Sequence, residues 1–276
     1  MWRNLTLAAF LVWPAAANAQ APGGLTFLAT IEPIRVDAQP QQVVTRQFRL
    51  TLPADQRAAR FKVRVEDWWR SEDGQRAMYG PPGTLRRSCA RWVSLNPVEA
   101  AVKPGETLVV RISITVPSEI ASAGYWCALT VDEIPDPLAV RSGTNVRFAA
   151  SVSTGIFVNI GRIERAAQIL SVDVGPDTAR IRVRNDGNGP LSVDGRLEFF
   201  AAGSDSPMAS VAVPRTTVLT EPFVEGTLTA QLPPASELPS GRYRVRAILD
   251  YGAAHYIGAE KSVDVFRAAS SGGPLR

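Results

Sequence analysis

Few side chains in this chain are able to do chemistry, and none stands at catalytic spacing. Its single histidine, His255, lies in the run A-A-H-Y-I on an expected strand. A serine hydrolase would need that imidazole beside a serine on a sharp turn, and no G-x-S-x-G occurs. His255 therefore reads as a strand histidine with an ordinary hydrogen bond. Glu66-Asp67 and Glu72-Asp73 are adjacent carboxylates. Neighbours along a strand point to opposite faces, so neither pair suits general acid and base. Asp186 and Asn188, in N-D-G-N-G, offer oxygens to calcium. No Glu follows at the spacing of a calcium loop, and a plain turn is expected. Cys89, Cys127 and His255 are too few ligands for zinc. No catalytic residue, metal or cofactor is assigned, and the chain is read as a binding protein and not as an enzyme.

The cysteines point to a compartment. Cys89 and Cys127 lie 38 residues apart, Cys127 beside Trp126 and Cys89 near Trp92. In an oxidising compartment they are expected to form a disulfide; the alternative is two buried thiols that never meet. Export is expected from the first nineteen residues: Arg3, an apolar run from Leu5 to Pro14, and an A-x-A site at Ala17-Asn18-Ala19. The mature chain would begin at Gln20. The apolar run is shorter than the roughly 20 residues needed to span a bilayer, and no later segment reads as a transmembrane span. A periplasmic location follows as the expectation.

Composition bounds the rest. Of 276 residues, 45% are hydrophobic, which suffices for packed cores, and 21 Gly with 21 Pro fall between apolar runs, as turn-rich β proteins require. The net charge of +4 comes from scattered arginines. Without a basic stripe interleaved with aromatics, nucleic acid is not an expected partner.

The elements that would position any site are strands with period-two alternation. They are expected at Leu25 to Ile31 (at an edge), Val43 to Leu52, Phe61 to Trp69, Arg86 to Leu95, Thr107 to Val116, Tyr125 to Ile134 and Val146 to Ile160. Ser71 to Gly83 reads as a turn region. Seven more strands follow between Gln168 and Phe266. The fold class is therefore all-β, with two tandem immunoglobulin-like sandwiches. The expected division is a signal at 1–19, a first domain at 20–160, a second at 161–267 and a disordered tail at 268–276. Trp126 and Trp92 suit a core packed around the disulfide. Trp68-Trp69 would place one indole on each face, leaving one more exposed near Tyr79 for a glycan or a partner protein.

One stretch carries a family likeness. R-W-V-S-L-N-P, the K-P-G-E turn, V-V-R-I-S-I and W-C-A-L-T-V-D-E-I-P, followed by a loop and a long alternating strand, together span Ser88 to Gly161. This stretch resembles the amino-terminal immunoglobulin-like domain of the PapD-like periplasmic pilus-assembly chaperones. The resemblance extends back toward Leu25 and covers about half of the chain. It implies an exported β-rich subunit or surface protein as partner, held by β-strand addition along a long edge strand. The donor side chains would be Val146, Phe148, Ala150 and Val152; their other reading is the core face of an ordinary strand. In that family an Arg on the first strand region and a Lys on the long strand hold the partner's terminal carboxylate. Arg35, in P-I-R-V, matches the Arg, and the Lys has no counterpart near Gly155 or Ile156. The alternative function is a structural envelope or cell-surface module that binds wall polymer or another surface protein, with Trp68 or Trp69 as its exposed aromatic.

Overall fold

The computed structural model describes residues 25–30, 32–74, 76–135 and 149–267. The expected signal at 1–19, the tail at 268–276, and Val146 and Phe148 lie outside the described residues. Those described form seventeen strands and one 3-10 turn, Ala90–Trp92.

The first sandwich uses β1 (Leu28–Ala29), β2 (Ile34–Ala38), β3 (Val43–Thr51), β4 (Ala59–Arg70), β5 (Ala77–Gly80), β6 (Val93–Asn96), β7 (Glu99–Val102), β8 (Thr107–Thr115), β9 (Ala123–Ile134) and β10 (Ser151–Ile160). One sheet runs β1-β3-β8-β6; the other runs β2-β10-β9-β4-β5, with β7 also on β4. The alternation read from the sequence sorts the faces. Phe48, Leu50, Leu52, Val110, Ile112 and Ile114 meet Leu129, Val131, Ile156 and Val158 in one core. A fully buried side chain of this size contributes about 1.5–3 kcal/mol. Cys89 and Cys127 form a disulfide with their Cα atoms 5.4 Å apart, tying the turn before β6 to β9 on the opposite sheet.

The second sandwich is built from β11 (Ala167–Val174), β12 (Thr178–Asn185), β13 (Leu191–Phe200), β14 (Ala209–Val218), β15 (Glu225–Gln231), β16 (Gly241–Asp250) and β17 (Ile257–Val265). Its sheets run β11-β12-β15 and β14-β13-β16-β17, around a separate core that includes Ile181, Val183, Leu197, Phe199 and Val245.

Three expectations are corrected. Ser71 to Gly83 is not all turn: β5 pairs with the end of β4, Asp67 opposite Gly80 and Arg70 opposite Ala77. Arg86 to Leu95 is mostly turn and 3-10 structure, with the strand limited to β6. Trp126 is fully buried but does not pack around the disulfide. As the neighbour of Cys127 on a strand it faces the other way, into a third cluster with Trp68, Leu85, Phe157 and Leu219. Trp92 does pack against the first core, 4.7 Å from the Tyr125 ring.

That third cluster belongs to the joint between the sandwiches, since Leu219 comes from the second. Backbones touch there. Gly124 N donates to Asn188 O at 3.0 Å, and a Cβ on Gly124 would lie 2.7 Å from the Gly189 Cα. The N-D-G-N-G motif expected to be a plain turn is the clamp. Asn188 Nδ2 donates to Ser122 O (3.2 Å) and Arg162 O (3.0 Å), and its Oδ1 accepts from Glu164 N (2.8 Å). Arg87 also donates to Asn188 O through its guanidinium, and its backbone N donates to Glu221 Oε1 at 2.6 Å.

Candidate functional site

The sheet β2-β10-β9-β4-β5 has one face in the first core, and its other face carries the site. On β10, Ile156, Val158 and Ile160 point inward. By alternation Ser153, Gly155, Phe157 and Asn159 point outward. Beside them stand Trp126, Ala128, Thr130 and Asp132 of β9 and Glu66, Trp68 and Arg70 of β4. This outer face divides into two bands.

The first band is polar and fully connected. Arg64 Nε donates to Asp132 Oδ2 at 2.7 Å, and Arg64 also pairs with Glu66. Thr130 donates to Glu66 at 2.5 Å and shares a hydrogen bond with Ser153 at 2.8 Å. Ser151 donates to Asp132 at 2.7 Å. Burial by itself would raise the Asp132 carboxyl; the hydrogen bonds from Arg64 and Ser151 outweigh it and hold that group below the usual carboxylate range. The second band is aromatic. Trp68 meets Phe157 edge-on at 6.2 Å, and the Trp126 indole N–H donates to Trp68 O at 2.9 Å. The Phe157 ring lies along its own strand over Gly155, where a Cβ would come within 2.7 Å of the ring.

The edge of β10 is the next element of the site. Along its whole length β10 pairs antiparallel with β9, from Ser151 opposite Asp132 to Ile160 opposite Ala123. On its other side β2 pairs in parallel, but only from Ile156 opposite Ile34 to Ile160 opposite Ala38. Residues 149–155 therefore have no strand on that side among the described residues. Glu133 N donates to Ala150 O at 2.8 Å, which turns the even-numbered backbone groups toward β9. Alternation then turns those of Ser151 and Ser153 toward the open side. One side-chain tie reaches across, from Thr154 Oγ1 to Glu32 O at 3.1 Å.

At the far end of β10 this face meets the second sandwich. A cavity of about 170 Å³ is lined by Arg35, Phe157 and Asn159 from the first and by Arg165, Ser192 and Tyr251 from the second. The Arg35 guanidinium lies 4.8 Å from the centre of the Phe157 ring. Burial, and then the like charges of Arg215 and Arg165, hold its pKa below the ordinary arginine value. Arg215 is paired with Asp194 at 2.6 Å. Asp37, two residues along β2 from Arg35, is engaged by Asn159 at 2.8 Å. Neither Arg35 nor Arg165 has a carboxylate partner among the described residues. Two cations with no anion between them among the described residues would favour one placed there.

The chain resembles solved chaperones. The CupB2 chaperone of Pseudomonas aeruginosa is 15% identical, over 87% of this chain and 100% of that one, with a TM-score of 0.44. The E. coli chaperone DraB is 14% identical, over 89% and 98%, with a TM-score of 0.41. The Salmonella enterica SafA pilin in complex with the SafB chaperone is 10% identical, over 87% and 97%, with a TM-score of 0.41. No family model matches the chain, and no curated relative does.

The structure distributes the expected site residues unevenly. Arg35 reaches the cavity between the sandwiches. Ala150 sits half-buried at the open edge, joined to Glu133 by backbone and side chain. Val152 is half-buried against the first core. The expectation that the long strand from Val146 to Ile160 is an edge is corrected for its last part, because β2 covers Ile156 to Ile160. The residue that faces Arg35 across the parallel ladder is Phe157, not Gly155 or Ile156. Trp68 and Trp69 do not form an exposed aromatic platform: Trp68 is 9% exposed and Trp69 is half-buried, leaving Tyr79 as the exposed ring. His255 shares a hydrogen bond with Tyr251, with Tyr251 Oη and His255 Nε2 3.2 Å apart. Sequence reasoning missed Arg165 and Phe157. Only the register of β2 on β10, and the joint at Asn188, bring them to Arg35.

Proposed function

We propose that the chain holds an exported β-rich polypeptide by adding one of its strands to the open edge at residues 149–155, as a periplasmic assembly chaperone of the pilus or fimbrial type. The observation that carries this reading is the half-covered strand β10. Its open edge leads along one face to a cavity lined by Arg35 and Arg165, neither of which has a carboxylate partner among the described residues. Strand addition supplies affinity through backbone hydrogen bonds. Alternate apolar side chains supply register, here Ala150 beside Val152, which is half-buried against the first core; the expected donors Val146 and Phe148 lie outside the described residues. The anchor for a terminal carboxylate is Arg35 of the first sandwich with Arg165 of the second. Arg165 provides the second charge that the Phe157 position lacks. On the same reading 20–160 and 161–267 are two domains meeting at Gly161.

The test is co-purification from the native envelope with paired variants. Ser153→Pro removes a backbone donor from the open side, where proline is tolerated. Ser153→Ala loses the same hydroxyl and keeps the donor. The expected result is capture of a β-rich exported protein by wild type and Ser153→Ala, and its loss in Ser153→Pro and in Arg35→Gln/Arg165→Gln. Equal capture by the proline and alanine variants overturns strand addition at this edge.

A further inference from the structure

The uncovered half of β10 is tied to β9 by side chains, and the covered half is not. Ala150 and Glu133 continue the β9–β10 register by one residue. In a regular antiparallel pair the Ala150 N–H would donate to the Glu133 carbonyl. It donates instead to the Glu133 carboxylate, at Oε2, over 3.0 Å. The other oxygen of that carboxylate accepts from Arg57. The next residue along, Ser151, donates its hydroxyl to Asp132 Oδ1 at 2.7 Å, and Asp132 Oδ2 accepts from Arg64 Nε. Ser153 shares a hydrogen bond with Thr130, which donates to Glu66, and Glu66 is paired with the same Arg64. Glu133 and Asp132 are neighbours on a strand and point to opposite faces, so the start of β10 is gripped from the core side and from the outer side. Opposite Ile156 to Ile160, where β2 supplies a second neighbour, β9 presents Cys127, Trp126, Tyr125, Gly124 and Ala123. No side-chain hydrogen bond joins β9 and β10 there among the described residues. The Glu133 side chain has no exposed surface. A carboxylate buried in an ion pair is often no more stabilising than an apolar side chain of the same volume, so this one calls for a reason other than stability. None of these ties uses the backbone groups of Ser151 and Ser153 that face the open side.

We propose that Glu133 and Asp132, backed by Arg57 and Arg64, are positioning residues that set residues 150–153 in strand register before a partner strand arrives. The inference rests on the strand-addition reading above and assigns what prepares the edge for it. A strand with one neighbour frays at its end, and every residue that must be ordered when the partner arrives costs binding free energy. The two carboxylates replace the missing neighbour with side-chain bonds to β9 and leave the open side free. They act through Ala150 and Ser151.

The experiment combines hydrogen exchange of the isolated full-length chain with capture from the native envelope. Glu133→Leu removes the acceptor at nearly the same volume, and Arg57 reaches water, so no buried charge is left unpaired. Glu133→Gln keeps an acceptor oxygen for Ala150. Ser151→Ala removes the outer tie at an exposed position. In Glu133→Leu the Ala150 and Val152 amides, which face β9, should exchange at least about tenfold faster, the effect of losing one charge-assisted bond. The Ile156 and Val158 amides and the urea midpoint should stay near wild type. Ser151→Ala should speed the same two amides about threefold. Capture should fall by a similar factor in each variant, and Glu133→Gln should recover part of both losses. Unchanged exchange at Ala150 and Val152 in Glu133→Leu overturns the positioning role, whatever the capture. An equal speeding of Ile156 and Val158 with a lower urea midpoint marks a general loss of stability and overturns it too. Faster exchange with undiminished capture also overturns it; if Ser153→Pro still loses the partner, strand addition stands without these residues. Undiminished capture by Ser153→Pro as well removes strand addition itself.

Discussion

Asn188→Ala is the substitution expected to separate the two sandwiches. Its side chain makes three hydrogen bonds, two donated to Ser122 O and Arg162 O and one accepted from Glu164 N, at 2.8–3.2 Å. Ser122 belongs to the first sandwich, and the other two partners belong to the segment entering the second. Each bond contributes about 0.5–1.5 kcal/mol net, so three contribute roughly 2–4 kcal/mol. The site is half-buried and water replaces part of the loss, which places the expected cost near the lower end, about 2 kcal/mol. At about 2–4 °C per kcal/mol for a chain of this order, the melting midpoint should fall by roughly 4–8 °C. The two apolar cores are separate, so weakening their joint should also resolve one calorimetric transition into two. Asn188→Asp keeps the acceptor and loses both donors, and should fall between wild type and Asn188→Ala. Differential scanning calorimetry of the three proteins tests this. A single transition within 1–2 °C of wild type for Asn188→Ala, below the roughly 2–4 °C that even 1 kcal/mol would produce, would refute the clamp.

Two further outcomes are expected. Replacing Cys89 and Cys127 together by Ala opens a loop with a sequence separation of 38 residues. Chain entropy for that loop gives a loss of about 4 kcal/mol, measurable as a lower urea midpoint; wild type reduced beforehand should show a similarly lowered midpoint, and a variant midpoint equal to that of oxidised wild type would contradict this. Asp132→Asn should flatten the acid limb of the stability curve. The native carboxyl is held low, so its contribution is complete above the unfolded value near pH 4 and fades as pH falls through the lower native one. The pair with Arg64 is partly exposed and screened, so the effect should stay within about 1 kcal/mol, and equal acid midpoints for the two proteins would contradict it.

How far the sequence could be read depended on the range of each interaction. Alternation alone located the strands at Val43 to Leu52, Thr107 to Val116 and Tyr125 to Ile134, because period two is a local property. The Cys89–Cys127 bridge was legible from two cysteines in a chain whose first residues led us to expect an oxidising compartment. Trp126 was misplaced although the same alternation that buries Cys127 inward turns its neighbour outward. Strand β5 was lost in a segment rich in Gly and Pro, since its pairing with β4 comes from the partner and not from its own four residues. Most of the site was not legible. The parallel register that sets Phe157 beside Arg35 joins residues 122 positions apart, and no local pattern encodes such a pairing. The same holds for Arg165, which reaches the cavity only because Asn188 fixes the joint, and for the edge of β10, whose exposure is decided by where β2 begins.

The most direct measurement is residue-resolved hydrogen exchange of the Ser151 and Ser153 amides, in the isolated chain and in the complex captured from the envelope. Strand addition at residues 149–155 requires both amides to exchange rapidly when the chain is alone, while Ile156 and Val158 stay protected, and to gain strong protection in the complex. Amides of Ser151 and Ser153 that are already protected in the isolated chain, or that exchange equally fast in the complex, would contradict the account.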